Sequence, residues 1–355
     1  MPERVAAYIG ASLTCLAAVL VGLPYAAAQQ FPSHAIKIVV PYPVSGPTDI
    51  RGTSRLTRTY KLIAQNAPPA ISDTLARMVA DGIRYGTRQP VKLERHPGGA
   101  TTAGAARVAR GPADGHTLLL ASDATLLIAP HYYLNVKYDG TKDFMLVAPL
   151  ATMPFVLMAN STLPVDDVKA LITWLKVRPG EINYGSSGDG STGHIAGERF
   201  LRMTGLEAVH VSYNGGISAL NAVATQHVSY MFAALPLALP YLSNQYVKPL
   251  AVTTAARLAG LPDVPTLAES GVPGYEVEGW YGMFVTAHAP ARAVAWLAEH
   301  ITAHMAAPDM QQRVREQGLQ PVTASRAQFA TRINSEAYET AAFLQQLTSA
   351  ARPLR

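Results

Sequence analysis

The sequence predicts an α/β protein of two lobes joined by a pair of crossing strands. Two observations carry this. Short β-branched runs alternate with longer amphipathic ones, and Gly, Pro, Ser and Asn gather at the joins. A late extended run is then followed by a helical tail, which packs most simply on the first unit. In order, a strand is expected at 36–41, a helix at 72–85, a strand at 91–94, a helix at 102–110 and a strand at 117–122. Extended runs over 142–157 lead away from this unit. A second series opens with a helix at 165–177 and a strand at 182–185, and continues with helices at 191–203 and 217–226 and strands at 209–213, 230–233 and 250–253. The run at 280–286 leads back to helices at 291–306, 309–317 and 326–347. The first lobe is then discontinuous, 29–152 plus 280–355, around a second lobe of 153–279. Lobes joined by paired strands can close on a ligand.

The N-terminus reads as an address. Arg4 precedes an apolar run from Val5 to Leu23, and Ala26-Ala27-Ala28 stands before Gln29. This is the pattern of a cleavable secretory signal over 1–28, which sends the mature protein out of the cytoplasm. Gly10, Ser12, Thr14, Gly22 and Pro24 interrupt the run too often for an anchor helix, and no second stretch approaches a membrane span. Cys15 is the single cysteine and lies in this segment, so the mature chain has no thiolate nucleophile, disulfide or cysteine-bound zinc. Charged residues are 15% of the chain, and the excess of +5 has no dense basic run, which argues against nucleic acid and suits a small anionic ligand.

Four joins repeat one local pattern, a strand ending in a small polar turn from which a helix starts: PYPVSGPTDI, ASDATLL, GSSGDGSTGH and YNGGISAL. Helix N-termini present N–H groups with no intrahelical partner, and Gly or Ser lets an anion approach them. Ordinary N-capping by Ser, Thr and Asp produces the same turns one at a time. Gly188 to Gly193 also spells G-x-G-x-x-G, but the next strand ends in Tyr213-Asn214 without the acidic residue of a dinucleotide site, and no cofactor is expected. His194 beside Ser187 leaves open an exported α/β hydrolase-like enzyme, although no serine stands in a G-x-S-x-G context. His300 and His304 have the i, i+4 spacing of metal ligands without a third, which reads as a solvated helix face, and no metal is expected. Asp123 is the one carboxylate in its loop, and no pair of carboxylates is placed for acid–base work. Tyr42, Tyr213, Phe232, Trp280 and Tyr281 suit the walls of a small-molecule cleft, with Phe232 favoured as core.

At these residues the chain resembles the Bug proteins, the periplasmic substrate-binding receptors of tripartite tricarboxylate transporters. The resemblance runs through IKIVVPYPVSGPTDI, VKLERHPGGATTAGAARVARGPADGHTLLLAS, DFMLVAPLATMPFVLMAN, RPGEINYGSSGDGSTGHIAGERF, VHVSYNGG, MFAALPLALPYL, LAVTTAARLAGLPDVPTLAESGVPGYE and GWYGMFVTAHAP, nearly the whole mature chain. It implies a type II periplasmic binding protein, a Venus flytrap with no catalysis, holding a carboxylate-containing ligand on backbone amides and ordered water and delivering it to inner-membrane transporter subunits. Carried over by position, the ligand-binding residues are Pro43, Ser45, Gly46, Thr48 and Asp49, then Ser122 and Thr125, then Ser187, Gly188, His194, Tyr213, Gly215 and Ala233.

The chain departs from the family pattern in four places. Ser45-Gly46 replaces a double glycine, and Glu94-Arg95-His96-Pro97-Gly98 replaces Glu-Asn-Arg-Pro-Gly. Ala233 stands where amino-acid-binding relatives carry an Asp for the ligand's ammonium, which implies an uncharged or purely carboxylate ligand. An insert over about 51–71 separates the first loop from the helix start at Ser72-Asp73, leaving two partial copies of one loop, Pro43 to Asp49 and Pro68 to Asp73. The insert reads as a flap, as a displacement of the loop that occludes the cleft and leaves a sensing or interaction protein, or as a sequence-level accident.

Overall fold

The computed structural model describes residues 31–42, 71–243 and 245–350. The export segment, the insert up to residue 70, and Pro43, Ser45, Gly46, Thr48 and Asp49 lie outside the described residues.

Three parallel strands open the fold: β1 (Ile36–Val40) lies between β2 (Val91–Arg95) and β3 (Thr117–Ser122). Parallel neighbours need crossover connections, here containing α1 (Ile71–Gly86) and α2 (Thr102–Ala109). β3, TLLLAS, is buried at five consecutive positions, which is why it reads as a continuous apolar run instead of an alternation. After β3 the chain makes a π-helical turn (Ala124–Ile128) that runs into α3 (Ala129–Tyr132), neither of which is legible as a separate element in the sequence.

The 17-residue β4 (Phe144–Asn160) is long because it serves two halves of the molecule. Up to Pro154 it pairs with β9 (Glu278–Thr286); from Phe155 onward it pairs with β7 (Tyr230–Ala234) and β8 (Val247–Val252). Pro149 has no N–H for a ladder and sits beside a register shift, and Pro154 stands at the changeover between partners. β5 (Asn183–Ser186) pairs in parallel with β7 and with β6 (Val209–Ser212). α4 (Val168–Lys176), α5 (Thr192–Thr204) and α6 (Gly216–Ala224) connect this second set, and α7 (Leu235–Ala238) follows β7. The result is one curled sheet, β2-β1-β3-β9-β4-β7-β5-β6, passing through both lobes. The chain returns at Val277, whose N–H donates to Thr253 O in the second set, while the next residue, Glu278, pairs with Pro154.

The tail is α8 (Ala291–Met305), α9 (Pro308–Glu316), the short β10 (Gln320–Pro321) on β4, and α10 (Arg326–Ala350). α8 packs along α1, and this corrects the expectation of a solvated face for His300 and His304. A Cβ at Gly86 would stand 1.9 Å from His300 Cδ2 and one at Gly82 2.8 Å from His304 Cβ, so two glycine notches of α1 receive the two imidazole-bearing positions. His300 Nδ1 also lies 2.8 Å from Trp296 O, so the pair does not present a joint ligand set. α10 closes the opposite side: Phe329 and Ile333 bury against Trp280 and Phe284. Among the described residues no helix is long and apolar enough to cross a membrane.

Candidate functional site

The two halves face each other across a cavity of about 610 Å³. Its first wall comes from the ends of β1 and β3 (Tyr42, Ser122, Asp123, Ala124), the turn before α2 (Ala100, Thr101) and Tyr133. Its second wall is the loop Ser187 to Gly193, the loop Ser212 to Asn214, and Gly216 and Ile217 of α6. Tyr42 and Ile71, the described residues on either side of 43–70, both line it. The helices α2, α5 and α6 begin at the cavity, and Ile71, the first residue of α1, also lines it. The first-turn N–H groups of a helix have no carbonyl within that helix and carry its partial positive charge, so these ends offer a field for an anion, with donors at α5 and α6; at α2 the N–H groups of Thr102 and Ala103 already bond Gly99 O and Gly98 O at 3.1 and 3.3 Å.

Local sequence explains how each end is held. Ser191 caps α5, its Oγ accepting from His194 N at 3.3 Å. Gly188 and Gly190 take φ of 143° and 64°, conformations an L side chain resists, and a Cβ on Gly193 would meet Phe232 O at 2.6 Å. The three glycines are therefore accounted for by loop shape and by the approach of α5 to β7. Ahead of α2, Ala100 and Thr101 take φ of 52° and 77°. Consecutive non-glycine residues in the left-handed region are uncommon and mark a constrained turn.

Hydroxyls tie the first wall together. Thr125 Oγ1 lies 2.9 Å from Thr101 Oγ1, 3.2 Å from Tyr42 Oη and 3.4 Å from Ser122 Oγ. Burial lifts the Tyr42 hydroxyl to about 12, so it stays protonated as a donor. Asp123, 6% exposed, accepts from Thr192 Oγ1 at 2.7 Å and from Trp280 N at 3.4 Å; burial raises its carboxyl to about 6. Tyr133 Oη donates across the cleft to Asp189 O.

Beneath the second wall lie two stacked imidazoles, His194 and His210, with ring centroids 3.8 Å apart. Gly190 N donates to His194 Nδ1 at 3.2 Å, and burial followed by the charge of His210 holds His194 down near 3, so it is neutral. Ser186 Oγ is 2.7 Å from His210 Nε2, whose Nδ1 is 3.5 Å from Asp189 Oδ1. The order resembles a hydrolytic triad, but Ser186 is fully buried and its hydroxyl also donates to Gly188 O at 2.9 Å. It fastens the loop. By spacing, Asp189, His194 and His210 could hold a metal ion, as could His34, Asp114 and His116. In both groups the rings stack nearly parallel, at 20° and 13°, whereas ligand nitrogens bind in the ring plane, so each pair fails to converge on one ion.

Residues 75–348 match the family model described as the tripartite tricarboxylate transporter family receptor. The chain belongs to that family. Among its relatives, BugT of Bordetella pertussis is 26% identical over 299 residues, covering 84% of each chain. A Pseudomonas sp. (strain P51) protein named for the tcbD–tcbE intergenic region is 29% identical over 290 residues, 81% of this chain and 79% of its own. Rpa4515 of R. palustris, solved with adipate, superposes with a TM-score of 0.73 at 29% identity, covering 89% of this chain and 98% of that one. MatC of Rhodopseudomonas palustris, solved with bound malate, gives 0.72 at 26% identity over 88% and 100%. Family and fold are those of periplasmic solute-binding receptors, which are not enzymes.

Of the receptor residues expected from sequence, the structure brings Ser122, Ser187, Gly188 and Tyr213 to the cavity wall. Thr125 stands one layer back, bonding Ser122, Thr101 and Tyr42. His194 lies under the loop and acts on it through Gly190. Gly215 is the N-cap of α6 at φ 95°, with Gly216 on the wall. Ala233 is off the wall because it packs in the core with Val156 and Met158; its neighbours Phe232 and Ala234 line the cavity. Trp280 is buried in the core, whereas Tyr281 lines the cavity. Sequence reasoning missed Ala100 and Thr101, for which the Pro97-Gly98-Gly99 run was the available signal. It also missed Tyr133 and Thr192, which are placed by tertiary packing.

Proposed function

We propose that this receptor is exported through residues 1–28 to the periplasm, captures a small carboxylate-containing ligand between lobes formed by 29–152 with 280–355 and by 153–279, and delivers it to inner-membrane subunits of a tripartite tricarboxylate-type transporter. The observation that carries this reading is the convergence of helix N-termini from both halves, chiefly those of α5 and α6 facing the α2 turn, on one cavity that no Lys, Arg or His among the described residues lines. A carboxylate held there is held by amide N–H groups and by the hydroxyls of Ser122, Ser187, Tyr213 and Tyr42, with Thr125 and His194 setting the wall and loop behind them. That two structurally similar proteins were solved with adipate and malate agrees with the same ligand class.

A thermal-shift screen of mono-, di- and tricarboxylates tests it. A ligand at a hundred times its Kd adds about 2.7 kcal/mol to stability, a shift of several degrees, and a narrow set of acids should give it. A protein whose melting no carboxylate moves would refute the reading.

A further inference from the structure

Asp123 is a buried charge without a counter-charge. No Lys, Arg or His among the described residues lines the cleft, and two carboxylates, Asp123 and Asp189, do. Asp189 is exposed and has His210 beside it at 3.5 Å, whereas Asp123 has only the Thr192 hydroxyl and N–H groups of Trp280 and Ala124. Behind it lies a second cavity of about 350 Å³. Asp123 and Thr192 line both cavities, so the pair forms the partition between them. The rear wall adds Glu276, Glu278, Glu336 and Glu339 against Arg199 and Arg332, an excess of carboxylates. Arg332 is already committed to Glu336 at 2.6 Å and Glu278 at 3.8 Å. The cleft therefore has positive helix ends on its sides and a negative floor. Buried charges in proteins are ordinarily paired, and a carboxylate kept ionised in such a place is stabilised by any cation that reaches it.

We propose that Asp123 determines specificity by receiving a cationic nitrogen of the ligand, so that the ligand of this receptor is a zwitterionic acid whose carboxylate lies on the helix ends. This rests on the carboxylate-receptor reading above. It replaces the expectation of an uncharged or purely carboxylate ligand drawn from Ala233, because the acidic group comes from the opposite wall. The dipolar arrangement discriminates in both senses: a second carboxylate directed at the floor meets repulsion from Asp123 and from Glu336 behind it, and an ammonium meets attraction.

The test is calorimetric titration of the intact mature protein with matched acids of four to six carbons: the unsubstituted diacid, its 2-hydroxy and 2-amino forms, and the ω-amino monoacid of the same length. At pH 7.5 an amino form should bind at least about tenfold tighter than both its unsubstituted and hydroxy counterparts. D123N should bring amino and unsubstituted forms to within about threefold of each other. In the unaltered protein the same preference should narrow by about twofold between pH 7.5 and 6, as Asp123 begins to protonate while the ligand carboxylates remain largely ionised. The charged or titratable groups around Asp123 are Arg332, Glu336 and Glu339 on α10, Arg199 on α5, Glu276 just before β9, Glu278 and Tyr281 on β9, and Tyr42. The tyrosines stay protonated throughout, and D123N separates the contribution of Asp123 from those of Glu278 and Glu336. An unsubstituted diacid that binds as tightly as its amino form, or a preference unchanged in D123N and flat with pH, overturns the inference and leaves the carboxylate reading standing. Absence of binding by every acid overturns both.

Discussion

Replacing Asp123 by Asn should stabilise the unliganded protein at neutral pH. The side chain is 6% exposed, and its carboxyl is raised from 3.8 to about 6 chiefly by burial. At pH 7.5 it is ionised in both folded and unfolded chains, and holding the charge in the folded state costs about 3 kcal/mol relative to the protonated form. Asn is nearly isosteric and its amide oxygen can still accept from Thr192 Oγ1, while its NH2 replaces the oxygen that accepts weakly from Trp280 N at 3.4 Å, so D123N should recover about 1–2 kcal/mol, a few degrees in Tm for a chain of this size. The sign against pH follows from proton binding. Between about 6 and 4 the folded chain binds the proton and the unfolded chain does not, so Asp123 adds stability as pH falls through that window and removes it as pH rises. The stability difference between D123N and the unaltered protein should therefore shrink toward zero on acidification from pH 7.5 to 4. Urea unfolding at several pH values measures it, and the difference isolates Asp123 from other groups. A variant less stable at pH 7.5, or a difference flat across the range, refutes the argument that this carboxylate is an uncompensated buried charge.

Gly193→Ala places a methyl 2.6 Å from Phe232 O, a backbone atom that cannot rotate aside; denaturant unfolding should show a loss of about 1–3 kcal/mol and ligand affinity should fall as the α5 terminus shifts. His194→Gln should relieve acid lability. Because His194 is held near 3 when folded and near 6.5 when unfolded, its contribution to stability is lost as pH falls below 6.5, by about 2 kcal/mol at pH 5, and the Gln variant should lack that component of the pH–stability curve. Tyr133→Phe deletes the cross-cleft bond to Asp189 O and should weaken ligand binding by roughly two- to tenfold in titration calorimetry, mainly through faster release, with little change in Tm of the unliganded chain. Equal affinity in that variant would mean the bond has no part in holding the halves together.

The elements of the fold were largely legible because each is specified locally. The apolar run of β3, the Ser191 cap and Gly205 at φ 65° delimit a strand and a helix within a few residues of their own positions. What was not legible depends on distant partners. Asp123 reads as one polar residue in a turn; it becomes a buried charge only because Thr192, 69 residues on, and Trp280, 157 residues on, pack over it. Ser186 and His210 carried no signal as a pair, since their contact exists only through the parallel register of β5 with β6. Ala233 misled for the opposite reason: positional correspondence put it at the ligand, while the packing of β7 on β4 puts it in the core.

The contacts across the cleft bear on how such a receptor sets its affinity. Thr192 reaches Asp123, Tyr133 reaches Asp189 O, the Tyr132 ring stands edge-on to His194 at 5.7 Å, and Arg199 lies 5.6 Å from the Phe343 ring. Each joins an element of the first wall or the tail to α5 or its loop, so each belongs to the arrangement in which the walls are close. A ligand shifts such an equilibrium only by its differential affinity for the two arrangements, and its apparent affinity scales with the fraction already competent to bind. Protein–protein bonds across the cleft raise that fraction, whereas the uncompensated charge of Asp123 at the partition lowers it. A ligand that neutralises Asp123 removes a cost present in the closed arrangement and gains more from closure than its direct contacts with the helix ends provide. Selectivity and closure then depend on the same carboxylate.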